Sequence, residues 1–301
     1  MFPSGSVRFF FPPDPFLSKP PPGEKIVSYY RILGLNAEPF STSPDPGFFY
    51  ETKEHKAALF RLRIAVELKR GLSVVLGDVG VGKTTLSRRL SQILGEEPDV
   101  LLKVILNPDF QSEQELLEEI VERFKISHEP VPGRGTRTLD YMKWIEKFLF
   151  EKSITQKQTV VLLIDEAQKL SDPCLEVLRS LLNYETNEHK TLQLILMGQM
   201  ELLPRIHQIK NLWDRIALKQ LLKPLEEDEV KKMIEFRLQH AGYQGHKPLF
   251  TDEAFESIFH FTQGYPRKIS MICHDALEYL LMHNKETVDL ESIRMIIQEA
   301  W

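Results

Sequence analysis

Residues 77–84 read Gly-Asp-Val-Gly-Val-Gly-Lys-Thr, a complete G-x-x-x-x-G-K-[ST] phosphate loop. Gly77, Gly80 and Gly82 let the backbone curl so that successive N–H groups point at phosphate oxygens, and the helix that follows adds its positive dipole end. In such a loop Asp78, Val79, Gly80, Val81, Gly82 and Thr85 line the phosphates with backbone. Lys83 supplies charge to the β- and γ-phosphates, and the Thr84 hydroxyl can ligate Mg²⁺. A second signal is the apolar run Val160–Ile164 ending in Asp165-Glu166. At the carboxyl edge of a sheet beside a phosphate loop, Asp165 can hold Mg²⁺ through water, and Glu166 can polarise a water attacking the γ-phosphate. A second acid after the metal-binding one favours hydrolysis over transfer to an acceptor hydroxyl. Alone, the same pair would read as the start of a solvated loop.

Three further polar residues are candidates for the reacting phosphate. The run Leu192–Met197 ends in Gly198-Gln199, and Gln199 could reach the attacking water or the γ-phosphate. Arg215 opens the last β-rich run, and Arg267 lies in Gly264-Tyr-Pro-Arg-Lys at a helix start. Arginine clamps transition-state phosphate charge in cis or from a neighbouring subunit. Composition does not select these two from the other arginines.

The surrounding pattern supplies the elements that hold such residues. Apolar residues at helical spacing from Thr52 to Arg70 predict an amphipathic helix, and Leu72–Leu76 predicts the strand before the loop. Further β-rich runs lie at Leu101–Leu106, Thr159–Ile164, Leu192–Met197 and about Arg215–Leu221. Helical patterns fall at about 83–94, 113–126, 138–151, 173–185 and 199–210. Strands alternating with helices predict an α/β fold, a parallel sheet covered on both faces. After Pro224 the strands stop, and helices are expected at about 226–241, 252–262, 266–283 and 289–300, with Asp252 and Asp289 as N-caps. The expected division is a proline-rich arm over 1–26, an α/β nucleotide-binding domain over 27–222 and a small all-helical lid over 223–301. Seven of the 19 prolines fall in residues 1–22, so the arm reads as extended. Its aromatics Phe9, Phe10, Phe11 and Phe16 make it either a plain tail or a docking segment.

Composition bounds the partners. The 301 residues are 42 % hydrophobic and 27 % charged, the proportions of a folded chain. No apolar run approaches the roughly 20 residues of a bilayer-spanning helix. Cys174 and Cys273 are too few for a disulfide framework and lack metal-ligand spacing, so a reducing cytoplasm is expected. A net charge of −5 argues against a general electrostatic grip on nucleic acid, while Arg134 and Arg137 in the loop Ser127–Thr138 keep a local DNA contact open.

Together these motifs resemble those of AAA+ ATPases: a parallel five-stranded sheet between helices, followed by a helical lid. The segments Tyr30–Phe40, Ser43–Tyr50 and His55, then Leu175–Thr186 and Leu194–Leu202, are similar to the general secretion pathway protein A family. That family includes a shorter relative in mannose-sensitive pilus biogenesis and borders the transposition ATPases. The resemblance spans about residues 27–300. It implies ATP and Mg²⁺ as cofactors, with ATP at the subunit interfaces of a homo-oligomeric ring, a hexamer or similar, that acts on an envelope-machine partner. It further implies that Tyr50 flanks the adenine and that Gln199 is a first sensor. Arg267 would be a second sensor and Arg215 an arginine finger, with Arg205 as its fallback, and Asn183 would orient Glu166. Met200 departs from a common proline, and Asp214 could pair with Arg215 and weaken a role in trans. Longer secretion members add a membrane helix and a glycan-binding domain, neither of which is expected within residues 1–301. A DNA-binding regulator of the transposition type is the alternative function, and a nucleotide-bound scaffold with little turnover is a third.

Overall fold

Five parallel strands form the centre of the computed structural model, which describes residues 28–43, 45–129, 135–186, 190–245 and 247–300. The arm over 1–26, with its aromatic cluster, and Arg134 lie outside the described residues. In chain order the elements are α1 (Tyr29–Ile32), α2 (Lys53–Glu67), β1 (Leu72–Gly77), α3 (Lys83–Gly95), β2 (Val100–Ile105), α4 (Glu113–Arg123), α5 (Thr138–Phe150), β3 (Thr159–Ile164), α6 (Asp172–Leu181), β4 (Leu192–Gly198), α7 (Leu202–Gln208) and β5 (Ile216–Leu222). Four helices follow: α8 (Glu227–His240), α9 (Asp252–Thr262), α10 (Pro266–Met282) and α11 (Leu290–Ala300).

The strand order is β2-β3-β4-β1-β5, with every pair parallel. Strands β1 and β4 are buried along their whole length, as is β3 after Thr159, as expected for the middle of a sheet covered on both faces. The edge strand β5 alternates half-buried and exposed positions instead. This order fixes the chemistry's location. Strand β4 lies between β1 and β3, with Leu76 beside Gly198 and Leu196 beside Ile164. The phosphate loop, Gln199 and the acidic pair therefore leave the sheet from neighbouring carboxyl ends, where ligands of open α/β sheets bind.

Two apolar clusters cover the sheet, one built on α4, α5, α6 and α7 and the other on α2 and α3. A third cluster joins the four C-terminal helices, and Leu35 and Phe40 belong to it. The N-terminal segment thus packs with the C-terminal helices, not with the sheet that follows it in sequence. Asn36 N–H donates to the Ala241 carbonyl at 2.7 Å, and the Phe40 and Phe250 rings meet edge to face at 6.3 Å.

Boundaries differ from the sequence pattern where local chemistry intervenes. Helix α4 stops at Arg123, and Lys125 turns to φ +52°. The region 199–210 keeps helix only over 202–208, and the helix expected over 173–185 starts one residue earlier and stops at 181. Thr251, not Asp252, caps α9, its hydroxyl accepting the Ala254 amide at 3.3 Å. Asp289 does precede α11 and accepts the Ser292 amide at 2.8 Å. Arg215 sits in a single 3-10 turn before β5, not inside the strand.

Candidate nucleotide site

The loop after β1 closes onto α3 through two glycines in the left-handed region, Gly80 at φ +84° and Gly82 at φ +100°. A side chain would strain both turns, and at Gly80 its Cβ would come within 3.1 Å of Arg267 Cβ. Lys83 is buried and donates to the Gly77 and Asp78 carbonyls, both at 2.9 Å. Burial lowers its pKa, while the carboxylates of Glu166 and Asp165 act to keep it charged.

Asp165 is buried at the end of β3, hydrogen-bonded to Thr84 and accepting the Glu166 amide at 2.9 Å. Burial raises its pKa, and these hydrogen bonds oppose the rise. Glu166 adopts φ +53°, a left-handed conformation unusual for a side chain of this size and a sign of backbone strain beside the site. Its carboxylate accepts from Gln168 Nε2 at 2.7 Å, while Gln168 Oε1 accepts the Gln199 amide at 3.1 Å. Gln168 thereby bridges the acidic pair to the end of β4.

These elements and the C-terminal helices enclose a cavity of about 410 Å³, within the range of small-molecule sites. Its wall brings together Val79, Gly80, Gly82, Lys83, Thr84, Thr85, Glu166, Gln199 and Arg267. The Arg267 amide donates to the Gly80 carbonyl at 3.2 Å, and the Tyr265 hydroxyl to Asp78 Oδ2 at 2.9 Å. The C-terminal helices therefore touch the phosphate loop directly.

Other expected residues lie elsewhere. Val81 is buried in the cluster under α2 and α3, and Asp78 faces Tyr265. Tyr50 does not line the cavity; its ring leans on Phe236 at 5.8 Å, and Ser41, Thr42, Ser43 and Asp45 line that side instead. Asn183 does not reach Glu166: its Oδ1 accepts from Arg215 Nη2 at 2.5 Å, and the Leu182 carbonyl accepts from Nη1 at 3.1 Å. Asp214 makes no ion pair with Arg215 among the described residues. Arg205 is tied down as well, paired with Asp172 at 2.6 Å and donating to the Gln168 carbonyl at 2.8 Å. Neither arginine lines the cavity of its own chain.

Sequence reasoning missed Gln168, Arg237 and the 41–45 segment. Arg237 interrupts the apolar stripe of Val230, Ile234, Leu238 and Ala241 on α8, a charge where helical spacing calls for core. That signal was present. Gln168 had no marker beyond standing two residues after Glu166.

The residues fit a magnesium nucleotide. The loop offers two left-handed glycine turns and a buried lysine, and Thr84 with Asp165 joins hydroxyl and carboxylate oxygens suited to a hard cation. Among the described residues no three His, Cys, Asp or Glu side chains form a metal cluster of their own.

The AAA domain family matches residues 66–206, and the fold is that of AAA+ ATPases. It is similar to General secretion pathway protein A of Aeromonas hydrophila, at 37 % identity over 251 residues. The match takes in 83 % of this chain but 44 % of that protein, so the chain spans less than half of its relative. Solved structures share the fold at low identity. Cdc6p from Pyrobaculum aerophilum aligns with TM-score 0.64 at 16 % identity, over 87 % of this chain and 70 % of that one. A Drosophila ORC structure bound to DNA gives 0.64 at 18 %, over 96 % and 70 %. The Thermotoga maritima RuvB Holliday junction branch migration motor gives 0.53 at 15 %, over 84 % and 72 %. No helix among the described residues is long and apolar enough to cross a membrane.

Proposed function

We propose that this chain hydrolyses ATP in the cavity between the sheet edge and the C-terminal helices, and that the helices move with nucleotide state. The observation that carries this reading is the convergence of Lys83, Thr84, Glu166, Gln199 and Arg267 on one cavity, with Asp165 bound to Thr84 beside it. Bound Mg²⁺ would be held by Thr84 and Asp165 and would neutralise phosphate charge. Lys83 and the loop amides hold the β- and γ-phosphates, exchanging the Gly77 and Asp78 carbonyls for phosphate oxygens as partners of Nζ. Glu166, oriented by Gln168, takes the proton of the attacking water. Gln199 positions that water or the γ-phosphate. Arg267 carries charge on a helix that also contacts Gly80, so phosphate loss changes what holds the lid.

On this reading residues 223–301, with the N-terminal segment packed on them, act as the lid of a nucleotide-binding core that runs from α2 to β5. Subunits assemble as a ring with Arg215 reaching a neighbour's γ-phosphate, which requires release of its bonds to Leu182 and Asn183. The name of the Aeromonas relative supports work in a secretion pathway; assembly of an envelope or pilus machine, performed from the cytoplasm, is the part of the proposal that rests on the motif resemblance. The DNA-binding alternative has less behind it. Arg134 lies outside the described residues, and Arg137 stands at the start of α5 with its amide on Asp140 Oδ2 at 3.0 Å.

Calorimetry with ATP, ADP and Lys83→Ala tests the site. ATP bound by the parent and lost in Lys83→Ala supports it. Unaltered affinity in the variant places the phosphates elsewhere.

A further inference from the structure

The cavity's wall holds an arginine with a buried, partnerless Nε. Arg237 projects from the apolar stripe of α8 into the space that Lys83, Thr84 and Arg267 also line. Among the described residues no carboxylate pairs with it. Its Nη1 donates to Ser270 Oγ at 3.0 Å and reaches the Pro39 carbonyl only at 3.5 Å. Ser270 directs its own proton to the Pro266 carbonyl at 2.9 Å, so both neighbours offer Arg237 neutral oxygens. Nε is buried without any partner, and no described residue accepts from Nη2. Asp45, the carboxylate lining this part of the cavity, lies beyond ion-pair distance and accepts the Gly47 amide at 2.8 Å.

A half-buried guanidinium whose Nε is shut off from solvent without a partner is costly unless an anion reaches it. Nη2 is the open donor, and a small rotation of the side chain would bring the partnerless Nε edge to the same ligand, giving the parallel pair that matches two oxygens of one phosphate. Position supports the same ligand. Ser270 lies three residues after Arg267 on α10, so the group held by Ser270 stands about one helical turn from Arg267 along the same wall. Arg267 in turn covers Gly80 of the phosphate loop.

We propose that Arg237 is a second phosphate-binding arginine of the nucleotide site, engaging the phosphate chain through its Nε and Nη2 edge beside Arg267. Its contacts to Ser270 and Pro39 join α8, α10 and the N-terminal segment, so the phosphate it binds fixes those three pieces together. This rests on the nucleotide reading of the cavity.

The test compares Arg237→Met with the parent protein by ATP calorimetry and by thermal unfolding without nucleotide. Met keeps most of the side chain's volume and removes the uncompensated charge. The expected result is a loss of ATP affinity of about tenfold or more, with a nucleotide-free melting temperature equal to or above the parent's. A purely structural brace gives the reverse, a lower melting temperature with ATP affinity held. That result, or a loss of affinity accompanied by a lower nucleotide-free melting temperature, overturns the proposal. Arg237→Lys, which restores charge without the paired edge, should recover affinity only in part, and full recovery refutes the two-donor contact. Lys83→Ala run in parallel separates the two readings. If it retains ATP affinity, the cavity is not the phosphate site; if it loses affinity while Arg237→Met does not, Arg237 alone is misassigned.

Discussion

Glu166→Gln removes a base and leaves almost everything else in place. Gln168 Nε2 donates to the carboxylate at 2.7 Å, and an amide oxygen at the same position can accept that bond. The backbone at φ +53° is unaffected by an isosteric change. Among the described residues that line the cavity, Asp45 is the other acid. Asp165 is 1 % exposed and engaged by Thr84 and the Glu166 amide, and Asp45 belongs to the Arg237 end of the cavity. A positioned general base contributes roughly 10²–10⁴ in rate, about 3–5 kcal/mol of barrier. The variant should therefore release phosphate from ATP at least about a hundredfold more slowly. Its affinity should be unchanged or tighter, because one negative charge beside the phosphates is gone. Phosphate-release kinetics at saturating ATP, with calorimetry for affinity, measure both quantities. A variant that keeps more than about a tenth of the parent kcat removes Glu166 from the base's role and refutes the reasoning.

Arg215→Ala should lower kcat far more than affinity, on the order of 10³-fold for a finger acting in trans. Mixed with Lys83→Ala it should regain activity at hybrid interfaces; a flat signal from co-assembled variants refutes the trans role. Tyr265→Phe deletes a partly exposed hydrogen bond to Asp78 worth about 1 kcal/mol, so lid mobility by hydrogen exchange should rise in residues 265–270 without loss of Lys83-dependent ATP binding. His55 is buried beside Gly82, and burial pushes its pKa down to about 4 from the ordinary 6.5. The unfolded chain then binds the extra proton, so stability falls as pH drops from about 6.5 to 4, by up to about 3 kcal/mol. His55→Gln should flatten that part of a urea-midpoint profile. Asp289, held near 2 by the Ser292 hydroxyl and amide, loses its contribution only below about pH 4, outside that window.

What the sequence shows and what it hides divides along the range of each interaction. The strands and the phosphate loop were legible because a buried strand and a glycine-rich turn write their needs into consecutive residues. The order β2-β3-β4-β1-β5 then brought Gln199 between the loop and the acidic pair without any further information. Side-chain partners across distant elements were not legible. Asn183 was expected on Glu166, and the end of α6 instead gives it Arg215; Gln168, two residues away, holds the glutamate. Tyr50 was expected at the base and is drawn into the aromatic contact with Phe236. The grouping of residues 29–40 with the C-terminal helices was equally hidden. It depends on Leu35 and Phe40 meeting a core formed about 200 residues later in the chain.

That grouping bears on how nucleotide chemistry could become motion. A lid joined to the sheet only by the β5–α8 connection would report phosphate state through one hinge. Here the C-terminal helices have three further ties: Tyr265 on Asp78, the Arg267 amide on Gly80, and Arg237 between Ser270 and the Pro39 carbonyl. Two of these end on the phosphate loop itself, and the third ends on the segment that leads into α2. Any change in the loop's phosphate contacts therefore acts on the lid at its near end, while the N-terminal segment must travel with the lid because its apolar side chains are buried there. Phe48 and Tyr50 also pack on the C-terminal cluster, so on the proposed reading bending falls between Tyr50 and Thr52, together with the β5–α8 connection. Thr52 caps α2, its hydroxyl accepting the His55 amide at 3.1 Å, and so anchors the core side of that stretch. Ser41, Thr42, Ser43 and Asp45, which line the cavity beside Arg237, lie on the lid side of that hinge and would move with the lid.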